Sequence, residues 1–451
     1  MNKTVRKIAS FAVRYGIAVV GIWWVVANMS IADHAIVLDQ NGQPKKVIVE
    51  QQVAAGSYRI SEGDQSREIS ERDLINAPDR AKVKLASGRE MFLRGMDLAG
   101  DRPDAVEKLL VSDTATGSAR WISPLELSEP FHVRVPLPKV EIGLRRMTRD
   151  ADPWLLMLSV AIFPITILVT SIRWRRLLAA LDIHLPLTKT LALNWVGLFY
   201  NTFIPMGSTG GDLLKAYYAA KHTPHKTRAV MSVLVDRIIG LLVLIILGGT
   251  IAGIYYLMSP NKLDPAVRAC RSVSLTAILI MCGIAAFLMV GFSARLRSLT
   301  RFEKVLTKLP MQRHVQSAVE VMAIYRQRPR LVLWSMMVTV PVHVTVIVSA
   351  MLAGKAFGLP LSSGYYFIVV PVTVLVGAIP ISPQGAGVME FFAINLTARQ
   401  GATVSQAFAL TMSIRVVQIF WNLVGGLFVM AGHYREPQGD ILVETEDIPV
   451  I

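Results

Sequence analysis

The residues that could do chemistry are few charged side chains set in apolar surroundings: Asp212, Lys215, Asp236, Arg237, His343, Glu390 and Arg415. An ionisable group inside a membrane-length apolar stretch is costly, so it faces a partner or a watery cavity and marks a functional position. An offset of 178 places Arg237 on Arg415 and Gly248 on Gly426, so two similar stretches each offer one arginine. A guanidinium grips phosphate through a bidentate fork, and two arginines at equivalent positions suggest a shared anion site. Two plainer readings compete. Arg237 could pair with its neighbour Asp236, or snorkel to the interface about two turns away.

The arginines follow two breaks. Residues 201–218, NTFIPMGSTGGDLLKAYY, and 376–394, VGAIPISPQGAGVMEFFAI, place proline and small residues inside apolar stretches. Pairing Ile204-Pro205 with Ile379-Pro380 brings Gly210 onto Gly385. Backbone in hydrocarbon tolerates such interruptions only where protein or a cavity takes up the freed groups. Interrupted segments at corresponding places in two halves point to a transporter binding site. Gly210, Gly211, Gly385 and Gly387 would permit positive φ or close backbone approach, and helices starting near Gly211 and Gly387 would aim N–H groups at an anion. Asn201 is the candidate for contact with a ligand, while Asn194 and Asn422 read as links between helices. Asp212 is expected to offset a helix N-terminus. Asp236, Glu390 and His343 join it as possible charge or proton relays.

These breaks imply a polytopic α-helical membrane protein. Across 451 residues, 53% are hydrophobic, 18% charged, and mean hydropathy is +0.46, too apolar for a soluble chain of this size. The net charge of +15 collects in short loops beside apolar segments, which is the pattern of cytoplasmic loops and argues against nucleic acid as a partner. Cys270 and Cys282 have no metal-ligand spacing, so no metal site or other cofactor is expected.

In chain order, residues 1–32 read as an uncleaved N-terminal anchor with Lys3, Arg6 and Lys7 inside. Residues 33–150 carry 18 Lys plus Arg against 19 Asp plus Glu without a spanning run. They are expected to form a small β-rich extracytoplasmic domain, with strands near 45–53, 57–60, 81–85 and 90–93, which could dock a protein partner. Lone His34 and His132 read as ordinary residues. From 151 to 432 the pattern is span (154–172), re-entrant hairpin (185–218), span (229–258), connecting span (273–292), span (331–353), hairpin (363–396), span (405–430). Arg173, Arg175 and Arg176 close the first of these on the inner side. The loop 293–330, with nine Lys plus Arg against Glu303 and Glu320, is read as cytoplasmic, either an amphipathic helix on the headgroups or a solvated loop. The acidic tail 433–451 is also cytoplasmic. The halves then form an inverted repeat, with a site expected near its midplane.

FIPMGSTGGDLLKAYY, VDRIIGLLVLI and AIPISPQGAGVMEFF, in that order, resemble the signatures of the lysylphosphatidylglycerol synthase transmembrane region, or flippase-like, family. The resemblance covers about 154–430 and implies an inner-membrane protein that flips lipid. Its best-known members add a cytoplasmic aminoacyl-transferase domain, which this sequence does not present, so lysyl transfer is not expected. The leading reading is a lipid translocase without enzymatic activity, with membrane lipids as partners and a phospholipid or polyprenyl-phosphate headgroup as substrate. GSTGGD lacks the lysine of a phosphate-binding loop, so no nucleotide drive is expected. A lipid-modifying aminoacyl or glycosyl transferase would have only Asp212, Asp236 and Glu390 for acid–base work. A non-transporting assembly partner would use the outer domain instead.

Overall fold

The computed structural model describes residues 20, 23 and 30–431, apart from 41, 55, 63–64, 77–81, 99–105, 115–116, 132–138, 204–209, 225, 260–261, 263–264, 293–319, 379–381, 383–384 and 398–399. The N-terminal anchor, His132, both proline turns, the basic loop up to 319 and the acidic tail therefore lie wholly or almost wholly outside the described residues.

The first part is β-rich, as its alternating pattern predicts. β1 (His34–Leu38), β2 (Pro44–Ala54), β3 (Ser57–Glu62), β4 (Gln65–Ser70), β5 (Leu74–Ile75) and β10 (Val140–Glu141) make one antiparallel sheet, ordered β10-β1-β2-β3-β4 with β5 on β1. β6 (Lys82–Lys84), β7 (Glu90–Leu98), β8 (Val106–Ser112) and β9 (Ala119–Ile122) make a second. Val47 and Val49 turn inward while Lys46, Ile48 and Glu50 stay exposed or partly so, the period-two signature of a sheet with one wet face. The second core is built from Met91, Leu93, Met96, Leu109, Val111 and Ile122.

The helical part follows. α1 (Leu144–Arg149) is a short connector; α2 (Pro153–Ala161) and α3 (Pro164–Ala179) are one apolar stretch, 27 residues long, offset just before Pro164. Then come α4 (Leu187–Phe203), α5 (Gly210–Ala220), α6 (Lys226–Met258), α7 (Pro265–Phe292), α8 (Pro329–Ala356), α9 (Ser363–Ala378), α10 (Val388–Thr397) and α11 (Val404–Met430). Among the described residues, α2–α3, α6, α8 and α11 are long and apolar enough to cross a membrane; the apolar stretch in α7, Cys270–Ala286, is shorter.

α4 and α5 pack antiparallel: Gly197 lies against Gly211 and Lys215, and the Gly211 N–H donates to Asn201 Oδ1 at 2.8 Å. α9 and α10 do the same, with Gly377 against Met389 and the Tyr365 hydroxyl donating to the Leu396 carbonyl at 3.1 Å. Each pair also packs on the following long helix, α5 on α6 and α10 on α11. The first arm of each pair reaches across to the other half, so α4 meets α11 and α9 meets α6. At these crossings Gly426 faces Phe199 and Gly248 faces Pro371.

Two poles result. At one, Arg228 pairs with Glu320 at 3.0 Å, the Tyr325 hydroxyl donates to the Leu177 carbonyl at 3.0 Å, and Arg176 stacks on Trp334. At the other, the Asp152 N–H donates to the Ala356 carbonyl at 3.1 Å, and the Ser30 N–H donates to Ser405 Oγ at 3.1 Å. The β-rich part attaches at this second pole. Asp33, buried, accepts from the Gly143 N–H at 2.8 Å and from Arg146 at 2.9 Å. That hydrogen bond holds the Arg146 guanidinium above its ordinary value.

Candidate functional site

Each arginine of the matched pair meets a carboxylate on the helix before it. Arg237 on α6 donates through Nε to Asp212 on α5, and Arg415 on α11 donates to Glu390 on α10. Partners are 25 residues apart in both cases, and the 178 offset that carries Arg237 onto Arg415 also carries Asp212 onto Glu390. That second coincidence is a signal in the sequence itself, which reading Asp212 as a helix-start charge and Glu390 as a relay does not use.

The two pairs differ in setting. Arg415 reaches Glu390 Oε1 through Nε at 3.1 Å and through Nη2 at 2.9 Å, with Nη2 also 3.3 Å from Oε2. The Glu390 side chain is 1% exposed, and its Oε2 also accepts the Gly387 N–H at 2.7 Å. Gly387 has φ +81° and Gly385 +68°, backbone that favours glycine. The Arg237 and Asp212 side chains are 44% and 20% exposed.

Gly211 serves by close approach instead. A Cβ there would stand 1.7 Å from the Gly197 carbonyl oxygen. Gly210 is buried at the start of α5 beside it. At the helix starts, expected to aim N–H groups at an anion, two of those donors are taken within the protein. The Gly211 N–H is taken by Asn201, and the Gly387 N–H by Glu390, because a helix start away from water must satisfy its donors internally. Asn201 is thus a cap within the α4–α5 pair. Asn194 donates to Ser171 Oγ at 2.6 Å and Asn422 to Thr202 Oγ1 at 2.8 Å, links between helices as their types suggested.

Asp236 does not pair with Arg237. Successive residues on a helix diverge by about 100°, and Asp236 turns inward to Arg173, whose Nε donates to Oδ1 at 2.8 Å. Arg173 Nη2 donates to the Asp236 carbonyl at 3.2 Å and Nη1 to Thr339 Oγ1 at 2.5 Å. Beside Arg175 and Arg176 at the end of a span Arg173 reads as an interfacial charge, yet its side chain is only 5% exposed. It lies a full turn inside the end of α3, deep enough to reach α6 and α8. Lys215 completes the cluster, its Nζ 3.6 Å from Asp236 Oδ2 and 3.9 Å above the Trp174 ring. The tryptophan donates in turn to Ser232 Oγ at 3.1 Å. His343 shares a hydrogen bond with the Gly240 carbonyl at 2.9 Å, which ties α8 to α6.

Long apolar helices, two antiparallel helical pairs and ion pairs buried between them define an integral membrane protein. The chain belongs to the family described as the lysylphosphatidylglycerol synthase TM region, whose model matches residues 143–426 and so takes in all of these helices from α1 to most of α11. It is also similar to a UPF0104 membrane protein of Pyrococcus horikoshii, 21% identical over 306 residues, which cover 64% of this chain and 90% of that relative.

Proposed function

We propose that this protein is a lipid translocase, not an enzyme, which moves a phosphate-bearing lipid headgroup, of phospholipid or polyprenyl-phosphate type, between two halves related as an inverted repeat. The observation that carries the reading is the matched pair of ion pairs, Asp212–Arg237 and Glu390–Arg415, each joining a short helical pair to the long helix after it. The exchanged packing of α4 on α11 and of α9 on α6 supports it, since each half then lines the other. Sites between such halves are where transporters bind, and rocking of one half against the other changes the side from which the site is reached.

In this reading α4–α5 and α9–α10 are re-entrant hairpins entering from opposite faces. The pole bearing Arg176, Lys221, Arg228 and Arg330 is cytoplasmic by the placement of its Lys and Arg, and the β-rich part lies outside the inner membrane. A guanidinium already held by a carboxylate is oriented, and exchanging that carboxylate for a phosphate keeps the same fork. Arg237 and Arg415 are the proposed headgroup contacts, Gly210, Gly211, Gly385 and Gly387 shape the walls, and Asp212 and Glu390 hold the arginines between substrates.

Vesicles reconstituted with the purified chain and labelled lipids test this directly: headgroup label should become accessible across the bilayer only with protein present. Arg237→Lys and Arg415→Lys should each lower transport roughly ten- to a hundredfold, the loss of one charge-assisted contact. If both arginines act on one ligand the double variant should be strongly non-additive. Vesicles that move no lipid would reject translocation, and additive arginine effects would reject a shared ligand.

A further inference from the structure

The two halves match in their hairpin ion pairs but not in charge. In the second half Arg415 and Glu390 balance. In the first, Asp212 balances Arg237 and Asp236 balances Arg173, which leaves Lys215 as a surplus cation. Its side chain is 6% exposed, and the offset that matches the arginines puts Ala393 at the equivalent place.

Arg173, the buried cation beside it, is already engaged within the protein: all three of its donor nitrogens give hydrogen bonds there. Lys215 has three N–H donors. Among the described residues it has one carboxylate contact at 3.6 Å, longer than a hydrogen bond, and a ring beneath it. A buried ammonium so loosely paired is costly unless an anion completes it. A way in lies close by: Asp212, three residues before Lys215 on α5, and Arg237, beside Asp236 on α6, are the partly exposed members of the group.

Resting on the translocase reading, we infer that Lys215 is the floor of an anion site between α5 and α6, with Arg237 at its mouth. The site takes a phosphate group carrying net negative charge, as in an anionic phospholipid headgroup, in preference to a zwitterionic one. Arg173 is a positioning residue that keeps Asp236 from claiming the ammonium outright. Without the anion the surplus charge destabilises the packing of α5 on α6; with it the cluster is neutral.

The test is thermal unfolding of the full-length protein in a neutral detergent with phosphatidylglycerol, phosphatidylethanolamine or inorganic phosphate added. Phosphatidylglycerol should raise the midpoint of the wild type and phosphatidylethanolamine should not. Lys215→Met should unfold at or above the wild-type midpoint without lipid, because Arg173 and Asp236 remain paired. Its apparent affinity for phosphatidylglycerol should fall about tenfold or more, the loss of one charge-assisted contact. Lys215→Gln serves as a second variant, and the comparison of the two lipids on the wild type needs neither. Equal protection by both lipids, or undiminished phosphatidylglycerol affinity in the variants, overturns the inference. Protection by inorganic phosphate alone supports the phosphate site and turns against lipid as its source. Lys215-dependent lipid binding in a protein that moves no lipid supports the site while rejecting translocation.

Discussion

At the scale of single residues, the two hairpin carboxylates do the same job at different depths, and depth sets their energetic weight. Glu390 is sealed against a two-pronged arginine and caps Gly387, so Glu390→Gln removes the buried carboxylate to which Arg415 donates. Breaking a buried pair from one side costs about 3 to 5 kcal/mol. Asp212→Asn opens a partly exposed pair worth about 0 to 1 kcal/mol. Thermal unfolding in detergent should therefore separate the two variants clearly, and Arg415→Met added to Glu390→Gln should restore most of the loss. Equal losses in the two single variants would mean that the pairs are equally buried in the membrane. The sequence made all four residues visible, since charges in apolar stretches stand out. It did not make their pairing visible, because the natural guess joins neighbours such as Asp236 and Arg237. Arg173 was hidden for a related reason: two further arginines beside it made an interfacial cluster the simpler reading.

At the scale of elements, the long helices and the two breaks were legible because hydropathy and the proline and glycine interruptions are local signals. β2, β3, β6 and β7 were legible too, but β4 was not, since Gln65–Ser70 is almost entirely polar and gets its place only from pairing with β3. The use of the glycines was the subtler point. Gly385 and Gly387 supply positive φ, whereas Gly211 supplies space, and only a structure says which. Gly211→Ala should push α4 and α5 apart, because its Cβ would overlap the Gly197 carbonyl, which is backbone and cannot turn aside. Gly240→Ala, whose Cβ meets nothing within 4 Å on α6, should be neutral or stabilising by up to about 1 kcal/mol. Transport and melting measured on both variants check this, and a Gly211→Ala protein as stable and active as wild type would mean that the close approach is dispensable.

At the scale of the whole molecule, the β-rich part is fastened to the pole where α11 begins, and α11 carries Arg415. Ser30 and Ser405 exchange hydrogen bonds, backbone N–H to Oγ and Oγ to backbone carbonyl, while Asp33 ties the entering strand to Gly143 and Arg146. These contacts join residues over 100 to 375 positions apart in sequence, which is why no local pattern announced them. Asp33→Ala should free the connector: amide exchange at Gly143–Met147 should rise at least tenfold while the β cores stay protected, since each sheet has its own apolar cluster. Unchanged exchange there would mean that the serine contacts alone hold the junction.

The two poles also fix a topology that chemistry can read. Glu320, Arg228 and the end of α3 sit together at one pole, and Ser30, Ala356 and the start of α11 at the other, whatever the orientation in the bilayer. In the orientation proposed from Lys and Arg placement, the first pole faces the cytoplasm. A single cysteine at Ser128, in the β-rich part, should then react with an impermeant maleimide added to whole cells, and one at Glu320 only after the membrane is opened. Cys282, exposed along α7, and the buried Cys270 should both be replaced by serine first, so that the label reports the chosen site. Both positions reacting from the same side would break the assignment of these poles to opposite faces. The reverse pattern would keep the fold but invert the protein, and the proposed headgroup contacts Arg237 and Arg415 would then be reached from the opposite leaflets.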